Sequence, residues 1–182
     1  MLASSKTAAE IAPLRRAMGF EDWPAIVENG AGLLSTGARP EVTGARYEAL
    51  RAALAALPEG FKGFGDMDAG EVAHITGLSV DAARLAKARG FTEPGLWQGA
   101  EADLPAFLGA AQAAGLDARR GGRFLTLSFG GTKASRMDAI IAAIRPGRTI
   151  ALGDAPNDVE MLERADLGVV VKNPDAPPMP PL

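Results

Sequence analysis

The sequence predicts an α/β fold: a parallel sheet with helices on both faces, into which a second, helix-rich segment is inserted. Three observations carry that expectation. Short apolar runs alternate with helical patterns at both ends of the chain, the order that parallel βαβ units require. The middle, residues 38–129, is instead rich in helices and shows one evident strand. Near the C-terminus the apolar run Thr149-Ile150-Ala151-Leu152 delivers Asp154 to its carboxyl end, where open α/β sheets bind ligands.

The elements follow in order. Thr7 with Glu10 three residues on fits a capping box, and Ile11, Leu14, Arg15 and Met18 continue at helix spacing to a stop at Gly19. Ala25-Ile26-Val27 reads as a short buried strand. A helix is expected over 44–57, with Tyr47, Leu50, Leu54 and Leu57 on one core-facing stripe. Two short helices are expected over 68–76 and 79–89, the second capped by Ser79. Residues 91–97 contain Thr-Glu-Pro and read as loop, and glycines break up 61–65. A helix over 101–114, a strand over 123–129 and a helix over 133–144 follow. The strand at 149–152, a helix over 157–164 and a strand over 168–171 complete the pattern. The tail carries Pro174, Pro177, Pro178, Pro180 and Pro181, which suit neither helix nor sheet.

Composition removes several functions. The 182 residues carry a net charge of −3, too acidic for a nucleic-acid or anionic-membrane surface; Arg15-Arg16 and Arg119-Arg120 are isolated pairs. No cysteine means no disulfide, thiolate catalysis or thiolate metal site, and one histidine, His74, leaves no histidine-rich centre and argues against a Ser-His-Asp triad. No apolar run reaches 18 residues, and the N-terminus lacks a signal-length apolar stretch. The expectation is a cytoplasmic protein with a small-molecule ligand.

The chemistry concentrates at residues 149–162. Asp154, Asn157 and Asp158 gather oxygen donors at a strand end, which suits a hard cation such as Mg²⁺. The plainer alternative is a turn and a capped helix, with Asn157 as N-cap and Glu160 at its third position.

This segment resembles the fourth motif of the haloacid dehalogenase superfamily of phosphotransferases. Gly130-Gly131-Thr132-Lys133 resembles the third motif, Ser4-Ser5-Lys6-Thr7 the second, and Ile26-Val27-Glu28-Asn29-Gly30-Ala31 the loop leading into the cap of the type IIB, Cof-like branch. With Gly63-Phe64-Gly65-Asp66-Met67, Phe91-Thr92-Glu93-Pro94-Gly95-Leu96-Trp97 and Arg120-Gly121-Gly122-Arg123-Phe124, the set resembles the mannosyl-3-phosphoglycerate phosphatases from residue 4 to about 172. The resemblance implies a Rossmann-like core over 1–37 and 130–182 and an α+β type IIB cap over 38–129. It implies a Mg²⁺-dependent phosphatase acting through an aspartyl-phosphate. Asp154 would then hold Mg²⁺, and Asp158 with Asn157 would orient metal-bound water. Lys133 would offset charge on the nucleophile and the phosphoryl oxygens, and Ser4 would hydrogen-bond the transferring group. Ser5, Lys6 and Asn29 fall in the same matched loops and are expected to bind substrate. In the cap, Arg89 and Arg123 suit a carboxylate or phosphate, and Thr92 and Glu93 suit sugar hydroxyls. Alternatives are a broader sugar-phosphate phosphatase of the same branch, a glucosyl in place of a mannosyl substrate, and a binding relic without catalysis.

The pattern breaks at its start. The first motif, Asp-x-Asp-x-Thr, belongs upstream of Ser4, where only Met1-Leu2-Ala3 stand. Asp66-Met67-Asp68 follows no apolar strand and reads as helix capping. Thr132 and Ala134 flank Lys133 where the family has Asp and Gly. Three accounts fit: a fragment, half of a split enzyme whose complementing N-terminal segment comes from another chain, or a relic; the first fits best.

Overall fold

A computed structural model describes residues 1–36, 44–121, 123–174 and 179. The expected boundary at 37/38, Gly122 of the Arg120–Phe124 motif and the prolines at 177, 178, 180 and 181 lie outside those residues. Contacts divide the chain into two compact units, 1–130 and 131–182. The division expected from sequence, 1–37 with 130–182, follows a different line.

In the first unit, β1 (Leu2–Ala3) pairs in parallel with β2 (Ala25–Val27), and β2 pairs antiparallel with β3 (Gly32–Leu34). Between β1 and β2 runs α1 (Ala8–Ala17), whose capping box is present: Thr7 Oγ1 accepts from Glu10 N, and Glu10 Oε2 accepts from Thr7 N. Ala8 and Ile11 pack on Ala25, Val27 and Leu34 because these positions point to one side of the helix and of the sheet.

The middle of the chain holds more sheet than its sequence shows. β4 (Phe61–Gly63), β5 (Thr92–Trp97), β6 (Asp117–Gly121) and β7 (Phe124–Ser128) form one antiparallel sheet in the order β4-β5-β7-β6. The loop expected at 91–97 is therefore a strand. Pro94 is tolerated because β4 pairs only with Gly95, Leu96 and Trp97, so β5 has an open edge beside Pro94. The glycines of 61–65 do not break a strand there. A Cβ on Gly63 would lie 2.3 Å from Glu93 Oε1, so the strand needs glycine where it passes that side chain.

The helices α2 (Ala45–Ala55) and α5 (Leu104–Ala113) supply Tyr47, Leu50, Phe107 and Ala111 to a core with Leu125 and Leu127 of β7. The expected stripe of Tyr47, Leu50, Leu54 and Leu57 is that core face. Trp97 packs on Phe107 with ring centroids 5.1 Å apart. Trp23 is half exposed. The short helices α3 (Ala69–Thr76) and α4 (Val80–Lys87) are capped by Asp68 and Ser79. His74 is exposed on α3.

In the second unit, α6 (Lys133–Ile144) leads to β8 (Ile150–Gly153), then through a 3-10 turn (Pro156–Asp158) to α7 (Val159–Arg164) and β9 (Leu167–Val170). β8 and β9 pair in parallel, with α7 as the crossover. No helix among the described residues is long and apolar enough to cross a membrane.

Candidate functional site

The second unit holds four of the expected residues: Lys133, Asp154, Asn157 and Asp158. β8 ends at Gly153, and Asp158 folds back over the turn. Asp158 Oδ2 accepts from Asp154 N at 3.2 Å and Ala155 N at 3.3 Å. This carboxylate, and not Asn157 as the plainer alternative had it, caps the turn. Its other oxygen, Oδ1, accepts from Lys133 Nζ at 2.6 Å, and both side chains are 7% exposed. Lys133 stands at the first residue of α6, behind the N-cap Thr132, whose Oγ1 accepts from Ser135 N. A cation at a helix N-terminus opposes the helix dipole, and burial adds desolvation. Asp158 is the charge that holds it there.

Asp154 differs from Asp158. It is exposed, and its Oδ2 accepts from Asn173 Nδ2 at 2.6 Å. Asn157 is exposed on the same turn. Among the described residues no three His, Cys, Asp or Glu side chains gather as a metal cage. The donor set is one accessible carboxylate beside a second whose two oxygens are engaged by the Lys133 ammonium and two amides.

The first unit holds the other expected residues. Ser4, Ser5 and Lys6 follow β1. Ser4 Oγ accepts from Lys6 N at 3.2 Å, and Lys6 Nζ pairs with Glu10 at 3.1 Å. Asn29 lies in the turn after β2 with φ 57°. Arg89 Nη1 donates to Ser5 O at 3.3 Å, which brings the end of α4 to the Ser4–Lys6 loop. Arg123 is exposed at the β6–β7 turn, its guanidinium carbon 5.3 Å from the Phe124 ring centroid.

Thr92 and Glu93 are a correction. Both are buried, at 4% and 0% exposure, because β5 is an inner strand and not a loop. Thr92 Oγ1 donates to Glu28 Oε2 at 2.7 Å. Glu93 accepts from Tyr47 OH at 2.5 Å and Gly65 N at 2.7 Å, with Arg51 Nη1 3.7 Å away. Burial pushes the Glu93 carboxyl above its usual range, against the opposing pull of the Gly65 and Tyr47 hydrogen bonds. Burial and the Glu93 hydrogen bond push the Tyr47 hydroxyl up as well. These oxygens are spent on the interior, not offered to a sugar.

Asp66 and Asp68 are caps, as expected. Asp66 Oδ2 accepts from Gly63 N at 2.9 Å and the carboxylate pairs with Arg51; Asp68 Oδ1 accepts from Glu71 N at 2.8 Å. Sequence reasoning missed Glu28, a buried carboxylate in the turn after β2. Its signal was a charged residue directly following a fully apolar strand.

The family described as haloacid dehalogenase-like hydrolase matches residues 127–177. The glucosyl-3-phosphoglycerate/mannosyl-3-phosphoglycerate phosphatase of Persephonella marina is 31% identical over 193 residues, covering 94% of this chain and 71% of that protein. A crystal structure from Thermotoga maritima is similar with a TM-score of 0.59 at 13% identity, over 90% of this chain and 70% of that one. A haloacid dehalogenase-like hydrolase from Bacteroides thetaiotaomicron gives 0.55 at 18% identity, over 93% and 74%. At these identities the structural likeness is one of fold.

Proposed function

The chain belongs to the haloacid dehalogenase-like hydrolases, and to the phosphatases among them, and from that premise we propose that its substrate is a glycosyl-3-phosphoglycerate, mannosyl or glucosyl. The reaction is hydrolysis of the phosphate ester to glycosylglycerate and inorganic phosphate. One observation supports phosphate-ester hydrolysis most: the buried Lys133–Asp158 pair at the carboxyl end of β8, beside the exposed carboxylate of Asp154. The name of the Persephonella relative supports the substrate class. In this reading, residues 1–37 and 130–182 supply the catalytic core and 38–129 the cap.

Each residue has a role its chemistry suits. An ammonium has three donors and Asp158 takes one, so Lys133 brings a compact positive charge to the phosphoryl oxygens. Asp158 fixes that ammonium and the turn together. Ser4 Oγ accepts from Lys6 N, which leaves its O–H to donate to a phosphoryl oxygen. Mg²⁺ fits the donor set, because it asks for one or two carboxylates and keeps its waters; Asp154 would hold it, with Asn157 and Asp158 orienting its water. When bound, it offsets charge on the phosphoryl group. Arg89 and Arg123 are the cap cations for the substrate's anionic groups; Ser5, Lys6 and Asn29 line the loops around Ser4. The aspartyl-phosphate route needs a carboxylate nucleophile, and residues 1–182 contain no Asp-x-Asp-x-Thr. Asp66 and Asp68 cap helical turns instead.

The test is phosphate release by the protein purified from its native cell, with its intact mass measured on the same sample. The expected result is Mg²⁺-dependent release from mannosyl- or glucosyl-3-phosphoglycerate, faster than from simple hexose phosphates and abolished by Asp154→Asn. Comparable rates on hexose phosphates would replace the substrate class with sugar phosphates in general. Phosphate binding without turnover on any of these would make the protein a binding relic.

A further inference from the structure

Glu28 makes more hydrogen bonds than a turn residue needs. It is 2% exposed, with φ 51°, in the 3-10 turn after β2. Its Oε1 accepts from Gly90 N at 2.9 Å. Its Oε2 accepts from Phe91 N at 3.2 Å, Thr92 N at 2.8 Å and Thr92 Oγ1 at 2.7 Å. Two of the four donors belong to the segment that joins α4 to β5, and the other two to Thr92, the first residue of β5. A non-glycine residue in the left-handed region costs free energy, and it persists where surrounding contacts over-determine it. These four bonds do so here.

Arg89 stands beside this clamp. Its Nη1 lies 3.9 Å from Glu28 Oε2, beyond hydrogen-bond reach, and donates to Ser5 O. Its Nε is buried with no hydrogen-bond partner. Buried donors are nearly always satisfied, and a lone unsatisfied one calls for an explanation. Closing the α4–β5 segment onto the turn does not require a guanidinium, since Glu28 already holds three amides and a hydroxyl. The arginine adds a positive charge next to the Ser4–Lys6 loop and an unspent N–H. A guanidinium presents its donors in a rigid fork that matches an oxyanion.

We propose that Glu28 is a positioning residue: its clamp on Gly90–Thr92 keeps the Arg89 guanidinium beside the Ser4–Lys6 loop, where its positive charge holds an oxyanion of the ligand. That oxyanion is the phosphate or the glycerate carboxylate, and this naming of the ligand rests on the substrate class proposed above.

The ¹H–¹⁵N resonance of Arg89 Nε–H in the full chain reports on this directly, assigned by its loss in Arg89→Lys. Sodium phosphate, sodium D-glycerate and mannosyl-3-phosphoglycerate are titrated separately. The expected result is that at least one of them moves the Nε–H resonance, phosphate marking a phosphoryl contact and glycerate a carboxylate contact. Glu28→Gln, which presents an NH₂ to an amide donor, weakens that binding about tenfold. Arg89→Lys weakens it similarly, and the double variant is no weaker than Arg89→Lys alone, because Glu28 acts through Arg89. Thr92→Val, which keeps three of the four bonds, weakens it less and stands in if Glu28→Gln does not fold. A resonance unmoved by all three probes, a clamp variant that binds as wild type, or full additivity in the double variant would overturn the proposal. A resonance that answers phosphate, with mannosyl-3-phosphoglycerate binding no tighter than phosphate, upholds the Glu28–Arg89 arrangement and overturns the substrate class.

Discussion

Lys133 is disfavoured twice where it stands, once by burial and once by the helix N-terminus behind it, and Asp158 offsets both. Removing one member of a buried pair leaves the other uncompensated, which costs about 3–5 kcal/mol. Lys133→Met should therefore lower the unfolding free energy by about 3 kcal/mol in chemical denaturation. Lys133→Met with Asp158→Asn should lower it by less than the two single changes added together. Arg15 shows the opposite use of a buried cation. Its guanidinium donates to Glu21 O at 2.6 Å, Trp23 O at 2.5 Å and Phe20 O at 3.3 Å, and so ties the loop before β2. In sequence, Arg15 was half of an isolated basic pair. Its burial was illegible there because the acceptors are backbone carbonyls, which every sequence supplies.

At the scale of elements, joins between them limit substitution. A Cβ on Gly153 would lie 2.5 Å from Asp158 Cβ, so β8 can meet the 3-10 turn only through glycine. Gly153→Ala should cost about 1–3 kcal/mol, read by denaturation, and should disturb the Lys133–Asp158 pair. The join of α2 to the turn after β4 is electrostatic. The Arg51 hydrogen bond, aided by Gly63 N–H, holds the Asp66 carboxyl below its ordinary 3.8 despite partial burial. The native carboxyl binds its proton less readily than the unfolded one, so Asp66 contributes stability above pH 3.8. That contribution is lost as pH falls through the lowered native value. Asp66→Asn should lower Tm at pH 7 and then lose less Tm than wild type between pH 4 and 2. Equal acid losses in the two proteins would sink this assignment. Helices and their caps were legible because 3.6-residue spacing and Thr7, Ser79 and Asp68 are local signals. β5 was not, because Pro94 is permitted only by the partial overlap of β4, a fact about a partner strand whose paired residues lie 32 to 36 positions away.

The whole molecule divides into units of 130 and 52 residues, and the smaller carries an unusual surface. Ile150 and Leu152 of β8 are 58% and 61% exposed, and Leu167, Val169, Val170 and Val171 add to the apolar surface. Parallel sheets are ordinarily covered on both faces, and exposed apolar rows on strands promote association. Ile150→Thr with Leu152→Thr should reduce light scattering of concentrated protein while shifting the denaturation midpoint little. Unchanged scattering would mean that the row is not where the chains meet.

The sequence by itself determined the helix positions, the capping role of Asp66 and Asp68, and the strand–turn–helix of residues 149–164, because each depends on neighbours within a few residues. It also determined the family resemblance, through motifs whose order along the chain needs no coordinates. Tertiary structure alone decided that Thr92 and Glu93 face inward, that Asp158 belongs to Lys133 while Asp154 stays exposed, and that Glu28 grips Gly90–Thr92. Each of these depends on segments that sequence leaves 25 to 64 residues apart, and only burial decides which polar atoms must be satisfied within the fold.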